Sequence, residues 1–199
     1  MKRGAGQRAL DPKKELPSYF GQFIGEKKSV KILDLGAGAF SLMGYCWPGV
    51  EVELRLVDFH ALLYTDLLKQ KGIVPPVLVE YQDMERLTFE DGSFDIVHCS
   101  NALDHTEKPW RAISEAVRVC RPGGWVCLRH KQNEASFQQN TGMHRWDVDY
   151  IETLKDCAFK NEHDTSPFFF LSECVAGFTT TFEFDKRGRK IIVSLLQKQ

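Results

Sequence analysis

The stretch VKILDLGAGAF, residues 30–40, combines an apolar run with a glycine-rich turn and decides the class of fold. Val30 to Leu35 predicts a buried first β-strand, and a turn of the form D-x-G-x-G follows it. Gly36 and Gly38 suit a turn whose backbone touches a ligand, because a Cβ atom there would stand in the way. Glycine is also present in many such turns for packing alone. The two glycines therefore have either a ligand-binding role or a packing role. The residues after the turn, 40–47, predict a helix.

Predicted strands and helices alternate along the rest of the chain. The further predicted strands are 52–58, 77–81, 94–100 and 125–130, and the further predicted helices are 60–71, 109–120 and 147–157. Residues 182–184 and 191–196 predict an antiparallel hairpin. This alternation is typical of a layered α/β domain with a mostly parallel sheet. We expect a lead-in segment over residues 1–29 and a single domain over residues 30–199.

Composition and charge indicate an ordinary globular protein of one domain. The 199 residues are 43% hydrophobic and 27% charged, and the formal net charge of −1 gives no reason to expect a nucleic acid or an anionic membrane as partner. No apolar run lies near Met1, and no apolar stretch is long enough to span a bilayer, so we expect neither a secretory signal nor a membrane span. Its six cysteines form no C-x-x-C pair and no zinc-like spacing with histidines, so we expect a reduced, cytoplasmic protein without a metal site. The basic residues near the start are interpreted as a solvated segment: Lys2, Arg3, Arg8, Lys13 and Lys14.

Two carboxylates beside the glycine turn point to the kind of nucleotide. Asp58 ends the second predicted strand, about 20 residues after the turn, where dinucleotide sites place the acid that accepts both ribose hydroxyls. Capping of the following helix is the alternative role for Asp58. Asp34 precedes the first glycine and would repel a pyrophosphate, which needs a bare helix N-terminus. A sulfonium and an ammonium suit a carboxylate, so Asp34 favours S-adenosyl-L-methionine over NAD.

Four motifs in register resemble the class I methyltransferases, specifically the methyltransferase type 11 family, from about residue 30 to about residue 130. The motifs are LDLGAG at 33–38, Asp58, DMERLTF with GSFDIV over 83–97, and RVCRPGG at 118–124. The resemblance implies a Rossmann-like three-layer sandwich with a mostly parallel seven-stranded sheet and a C-terminal antiparallel hairpin. It also implies S-adenosyl-L-methionine as cofactor, S-adenosyl-L-homocysteine as product, and a small-molecule or sugar acceptor.

The resemblance implies roles for individual residues at the cofactor. Asp83 would bond the adenine amino group, Met84 would lie beside the ring, and the two glycines would flank the methionine part. The full set implied to bind the cofactor is Asp34, Gly36, Ala37, Gly38, Asp58, Phe59, Asp83, Met84, Ser100 and Asn101. Phe40 stands where the family usually has a third glycine.

His105 is the first candidate for a general base. It follows the strand predicted at 94–100, on the edge where open α/β sheets bind their ligands. Its ordinary titration range suits proton transfer near neutral pH. An exposed loop histidine, or a helix cap near Thr106, is the alternative interpretation.

The chain beyond the fifth predicted strand supplies further candidates for an acceptor pocket. His144 is the second candidate base, and Trp146 is a candidate stacking wall for a sugar or ring, although burial in the core is the commoner role for tryptophan. The complete predicted acceptor set is His105, His130, Asn133, Glu134, His144 and Trp146. The stretches NALDH at 101–105 and GMHRW at 142–146 also resemble a poorly characterised bacterial subgroup, which implies a distinct acceptor site.

Two other functions remain open at this point. An NAD-linked oxidoreductase shares the glycine-turn logic, but Asp34 and the DMERLTF run speak against it. A methyltransferase-like module that binds without turnover is the second alternative, favoured by Phe40 and by the short N-terminal region.

Overall fold

A computed structural model of the chain describes residues 10–161 and 168–199. The start of the basic lead-in, with Lys2, Arg3 and Arg8, lies outside the described residues. The strands are β1 Ser29–Leu35, β2 Glu51–Asp58, β3 Val79–Tyr81, β4 Phe94–Ser100, β5 Cys120–Lys131, β6 Asp147–Ile151, β7 Asp156–Lys160, β8 Phe168–Phe170, β9 Thr179–Phe184 and β10 Lys190–Gln197. The helices are α1 Gly21–Ile24, α2 Ala61–Gln70, α3 Pro109–Val119, α4 Glu134–Phe137 and α5 Leu171–Cys174, with 3₁₀ turns at Ser18–Phe20 and Leu103–His105.

Seven strands form one twisted sheet in the order β3-β2-β1-β4-β5-β10-β9. The first five strands in this order are parallel, and β10 and β9 are antiparallel. The predicted α/β fold, with its mostly parallel seven-stranded sheet and C-terminal hairpin, is confirmed. The strand order reverses between β1 and β4, and open α/β sheets bind their ligands at such a reversal.

Both faces of the sheet are covered by buried apolar side chains. Ile32 of β1 packs on one face with Phe20 and Phe23 of the lead-in. Leu33 points to the opposite face, which carries the buried residues of α3 such as Ile113. This alternation follows from the two-residue side-chain period of a strand. None of the described helices has the length and apolar character needed to cross a membrane.

The helix predicted at 40–47 is wrong. This segment forms turns and short bridges, and its backbone hydrogen-bonds to the lead-in. The Tyr45 amide donates to the Lys14 carbonyl at 2.7 Å, and the Leu16 amide donates to the Cys46 carbonyl at 2.9 Å. Gly44 has φ +130°, and a Cβ atom there would lie 2.4 Å from the Glu15 carbonyl oxygen. The close approach of the two segments therefore requires glycine and a non-helical backbone.

The helix predicted at 147–157 is also wrong. β6 and β7 form an antiparallel pair there, and β8 extends it to a separate three-stranded sheet. The turn between them places Lys155 at φ +53°, in the left-handed region that a helix interior excludes. Val148 and Phe159 are opposite each other in the pairing and both are buried, so the apolar residues serve a strand pattern.

Candidate cofactor and acceptor site

The glycine turn after β1 presents one packing glycine and one open glycine. The amides of Gly36 and Ala37 donate to the Val57 carbonyl at 2.9 and 3.1 Å, which fixes the turn against β2. A Cβ atom on Gly36 would lie 2.3 Å from the Cβ of Ala102, so packing alone requires glycine there. Gly38 has φ +70°, and a Cβ atom there would meet no heavy atom within 4 Å. Gly38 therefore faces open space beside the turn.

Asp58 ties this turn to the end of β2. Its Oδ2 accepts the Gly38 amide at 3.0 Å, and its Oδ1 accepts the His60 amide at 2.8 Å. Asp58 therefore connects the glycine turn to the residue just before α2. Among the described residues, no side chain caps α2 itself. The neighbouring Phe59 is exposed, and its ring centroid lies 5.6 Å from that of Tyr81.

Asp34 lies at the end of a buried hydrogen-bonded chain. Its Oδ1 is 3.0 Å from Nδ1 of His98, and Nε2 of His98 is 3.1 Å from the hydroxyl of Tyr19. Burial raises the pKa of Tyr19, so its hydroxyl keeps its proton. A carboxylate accepts, so Nδ1 of His98 donates to Asp34, and Nε2 is left to pair with the Tyr19 hydroxyl. The sequence contains no local signal for this chain, because Tyr19 and His98 are far apart along it.

The ends of β3 and β4 complete the crevice. Oδ1 of Asp83 accepts the Glu85 amide at 2.9 Å, and the methyl group of Met84 lies beside the glycine turn. Ser100 is exposed at the end of β4. Asn101 has φ +51°, and its Oδ1 accepts the Lys131 amide at 2.8 Å. The Asn101 side chain therefore joins β4 to β5.

Two histidines and an aspartate converge just after β4. Nδ1 of His144 is 2.6 Å from Oδ2 of Asp104, and Nε2 of His105 is 3.1 Å from Nδ1 of His144. Oδ2 of Asp104 is also 3.4 Å from Nε2 of His105. Asp104 is buried, whereas about a quarter of each imidazole is exposed, at 28% for His105 and 25% for His144. Burial lowers the pKa of His105, and the charge of Asp104 opposes this shift.

The loop that carries His144 is anchored to the turn that carries Asp104. The amides of Arg145 and Trp146 both donate to the Asp104 carbonyl, at 2.8 and 3.2 Å. The indole of Trp146 donates to the Thr106 carbonyl at 2.9 Å. These bonds hold His144 against Asp104, although 39 residues separate it from His105 in the chain.

Comparison with known proteins shows which family the part of the chain around this crevice resembles. Residues 33–128 match the model of a family described as a methyltransferase domain. This match covers just under half of the chain and includes all four motifs. The resemblance found in the four motifs is thereby confirmed.

Relatives of the methyltransferase domain include enzymes of different chemistry. The ubiquinone biosynthesis O-methyltransferase of Burkholderia vietnamiensis is 26% identical over 74% of this chain and 61% of that protein. The ubiquinone/menaquinone biosynthesis C-methyltransferase of Idiomarina loihiensis is 30% identical over 52% of this chain and 43% of that protein. The chain thus spans less than two thirds of these relatives. A solved SAM-dependent methyltransferase from Aquifex aeolicus has the same fold, with 13% identity, a TM-score of 0.53, and coverage of 98% of this chain and 94% of that one.

The crevice of the methyltransferase domain fits S-adenosyl-L-methionine, the cofactor that this domain implies. The open space at Gly38 admits a ligand against the backbone, and Asp58 and Asp83 supply carboxylates at the ends of β2 and β3. Phe59 presents an exposed aromatic face next to Asp58. Carboxylate oxygens accept hydrogen bonds from ribose hydroxyls and from an adenine amino group, and an exposed ring suits a nucleobase.

Part of the predicted acceptor set is buried in the methyltransferase fold. Trp146 is 1% exposed, so the prediction that it forms a stacking wall is wrong. Glu134 is buried in an ion pair with Arg189, and His130 is buried as well, so neither presents its side chain to solvent. Asn133 is half-buried and lines a groove of about 260 Å³ together with residues of β6 and β7 such as Asp149 and Lys160. Of the predicted set, His105 and His144 contact each other and are both partly exposed.

We expect His130 to make the stability of the domain fall at acid pH. Burial lowers the pKa of His130 to about 4, from 6.5. The charge of Asp104 opposes this shift, whereas His98, His105 and Arg129 add to it. Between these two pH values the unfolded chain binds a proton that the folded chain excludes, so the free energy of unfolding falls as the pH drops. The loss from this residue is about 3 kcal/mol.

Urea unfolding of the wild type and of His130→Phe across this pH range measures the contribution. Carboxylates elsewhere affect both proteins alike, so the difference between the two curves isolates the imidazole. The wild type should lose stability relative to the variant as the pH falls from about 6.5 to about 4. Parallel curves would show that His130 is protonated in the folded domain.

Proposed function

We propose that the chain is an S-adenosyl-L-methionine-dependent methyltransferase that methylates a small-molecule or glycan-type acceptor. The observation that carries this proposal is the position of the Asp104–His105–His144 cluster beside the glycine turn. Ala102, two residues before Asp104, lies directly against Gly36 of that turn. A group that activates an acceptor therefore stands next to the crevice that suits the methyl donor.

Residues at the ends of the parallel strands would bind the methyl donor. Asp58 would bind the ribose hydroxyls with the lone pairs that its two backbone bonds leave free, and Phe59 would cover the adenine, with Asp83 and Met84 at the ring edge. Gly38 would leave space for the methionine part. When bound, the cofactor supplies an electrophilic methyl group on a sulfonium. The positioning of the two reactants supplies much of the rate of such a displacement.

The cluster favours an acceptor that must lose a proton. A hydroxyl group is a weak nucleophile until its proton is removed, and the two partly exposed imidazoles are accessible to it. Asp104 holds His144 in one orientation through the 2.6 Å contact with Nδ1. We therefore assign the cluster to activation of an acceptor hydroxyl, and His105 and His144 to contact with the acceptor.

The structure adds an argument against the NAD-linked oxidoreductase. A pyrophosphate is bound by the free amides and the positive end of a helix that begins at the glycine turn. Residues 39–50 after this turn are not helical, so that site is missing. A sulfonium needs no helix N-terminus, and the methyl donor remains compatible with the irregular segment.

Calorimetry and mass spectrometry test the proposal together. We expect S-adenosylhomocysteine to bind the purified chain more tightly than NAD, and mass spectrometry to detect a methylated product from a library of hydroxylated small molecules and sugars. Tighter binding of NAD would overturn the proposal. Binding of S-adenosylhomocysteine without product from any acceptor would favour a binding module without turnover.

Asp58→Ala should weaken the binding of S-adenosylhomocysteine by about 1–3 kcal/mol, a factor of roughly 5 to 150. The substitution removes the ribose acceptor and also releases the Gly38 amide. Titration calorimetry measures the affinity. Asp66→Ala, at an exposed position on α2, is the matched control and should bind as the wild type does. Equal affinity of the Asp58 variant and the wild type would show that Asp58 serves only the local backbone.

A further inference from the structure

Three atoms with metal-ligating chemistry meet at the Asp104–His105–His144 cluster. They are Oδ2 of Asp104, Nε2 of His105 and Nδ1 of His144, and they all lie within 4.8 Å of one another. Their separations are 2.6, 3.1 and 3.4 Å. The lone pairs and protons of these three atoms are therefore directed at one small space between the side chains.

These separations are close to those around a single ion. Ligand atoms at 2.0–2.1 Å from a tetrahedral Zn²⁺ lie about 3.3 Å apart. His105 already has this spacing to both partners, at 3.1 and 3.4 Å. The 2.6 Å contact between Nδ1 of His144 and Oδ2 of Asp104 is shorter than this spacing and would have to widen when an ion replaces the proton.

Asp104 is the second observation that points to a cation. The residue is 2% exposed, and its Oδ1 has no hydrogen-bond partner among residues 10–161 and 168–199. Within that same part of the chain its ion-pair partners are histidines, with no lysine or arginine. A buried carboxylate is costly unless a cation compensates its charge. A metal ion at Oδ2 would supply that charge.

The geometry of the cluster is preorganised by backbone bonds. Asp104 and His105 lie in one 3₁₀ turn, and the loop carrying His144 is bonded to the Asp104 carbonyl through the amides of Arg145 and Trp146. Metal sites depend on such outer contacts to orient their ligands. The three side chains therefore need little rearrangement to meet an ion.

We propose that Asp104, His105 and His144 bind one divalent first-row transition-metal ion, with Zn²⁺ as the probe. Two imidazoles and one carboxylate form the donor set of open catalytic sites, whereas Mg²⁺ and Ca²⁺ prefer oxygen ligands alone. The partly exposed imidazoles leave a coordination position towards solvent. An acceptor hydroxyl bound there would release its proton to water and become the nucleophile. This role rests on the proposed function, but binding of the ion does not.

Chelator competition on the metal-free full chain tests the binding. We expect one Zn²⁺ per chain. The affinity should be at least about tenfold lower in His144→Ala and in His105→Asn, because losing a ligand should weaken binding at least as much as losing a contact that supports a ligand. His60→Ala, at a half-buried histidine outside the cluster, is the matched control and should bind as the wild type does. Absence of stoichiometric Zn²⁺ binding, or equal loss in the control, would overturn the proposal.

Thermal unfolding gives a second readout that needs no acceptor. Zn²⁺ should raise the Tm of the wild type and of His60→Ala, because it binds only the folded site, and should raise the Tm of His105→Asn by less. His105 is the more exposed imidazole, so its variant keeps the proposal testable if His144→Ala does not fold. An equal rise in Tm in every variant would overturn the assignment. If the chain binds S-adenosylhomocysteine but not Zn²⁺, only the metal site is rejected. If it binds Zn²⁺ but not S-adenosylhomocysteine, only the proposed function is rejected.

Discussion

His144→Ala should lower kcat by about 10²- to 10⁴-fold and leave the affinity for S-adenosylhomocysteine unchanged. The imidazole contacts Asp104 at 2.6 Å and His105 at 3.1 Å, so its removal dismantles the group that activates the acceptor. The effect should fall on turnover because none of the three cluster residues belongs to the proposed cofactor set. Asp104→Asn keeps the shape of the side chain and removes its charge, and we expect a loss of similar size.

Initial rates of product formation, with the acceptor found by mass spectrometry, measure this effect. Met143→Ala is the matched control, because Met143 is the exposed neighbour of His144 in the same loop and its side chain has no part in the cluster. Its kcat should stay within about twofold of the wild type. A His144 variant with the kcat of the wild type would remove the cluster from the proposed mechanism. A variant that lost cofactor affinity and turnover in equal measure would place His144 at the donor instead.

Trp146→Ala should lower the free energy of unfolding by about 3–5 kcal/mol. The ring is 1% exposed and packs edge-on against Trp110 and Phe169, at centroid distances of 6.1 and 5.7 Å. Truncation leaves a cavity in the core and also removes the indole donor of the Thr106 carbonyl. Trp146→Phe retains most of the apolar surface and should lose only the cost of that unpaired carbonyl, about 1–3 kcal/mol.

Urea unfolding of both variants separates packing from hydrogen bonding at this position. Leu154→Ala, at an exposed residue in the turn between β6 and β7, is the control and should stay within about 0.5 kcal/mol of the wild type. A stability loss in Trp146→Ala no larger than in the control would show that the ring is not part of the core. Because Trp146 anchors the loop of His144, the alanine variant should also lose Zn²⁺ affinity.

Local patterns predicted the sheet well because its strands are short apolar runs bounded by turns. The parallel strands at 52–58 and 94–100, the helix at 109–120 and the hairpin near the C-terminus all follow from the periodicity of the residues themselves. The glycine turn and the strand ends carry their signals locally too. These features place the candidate cofactor crevice without any knowledge of distant contacts.

The two helices that the sequence predicted and the structure replaced share one cause. Residues 40–47 satisfy their backbone through Lys14 and Leu16, and residues 147–157 satisfy theirs through the pairing of β6 with β7. Helix propensity is a weak preference, and tertiary hydrogen bonds override it. A short apolar segment does not by itself reveal which partner its backbone will choose.

The sequence by itself determined the α/β class, the seven-stranded sheet and the family, because strand periodicity and four ordered motifs are local properties. Only the tertiary structure decided that Trp146 is core and that His144 meets Asp104 and His105. It also decided that Asp34 is bonded to His98. These contacts join residues that are distant in the chain, and their side chains meet because buried polar atoms and large rings must find partners within a closed core.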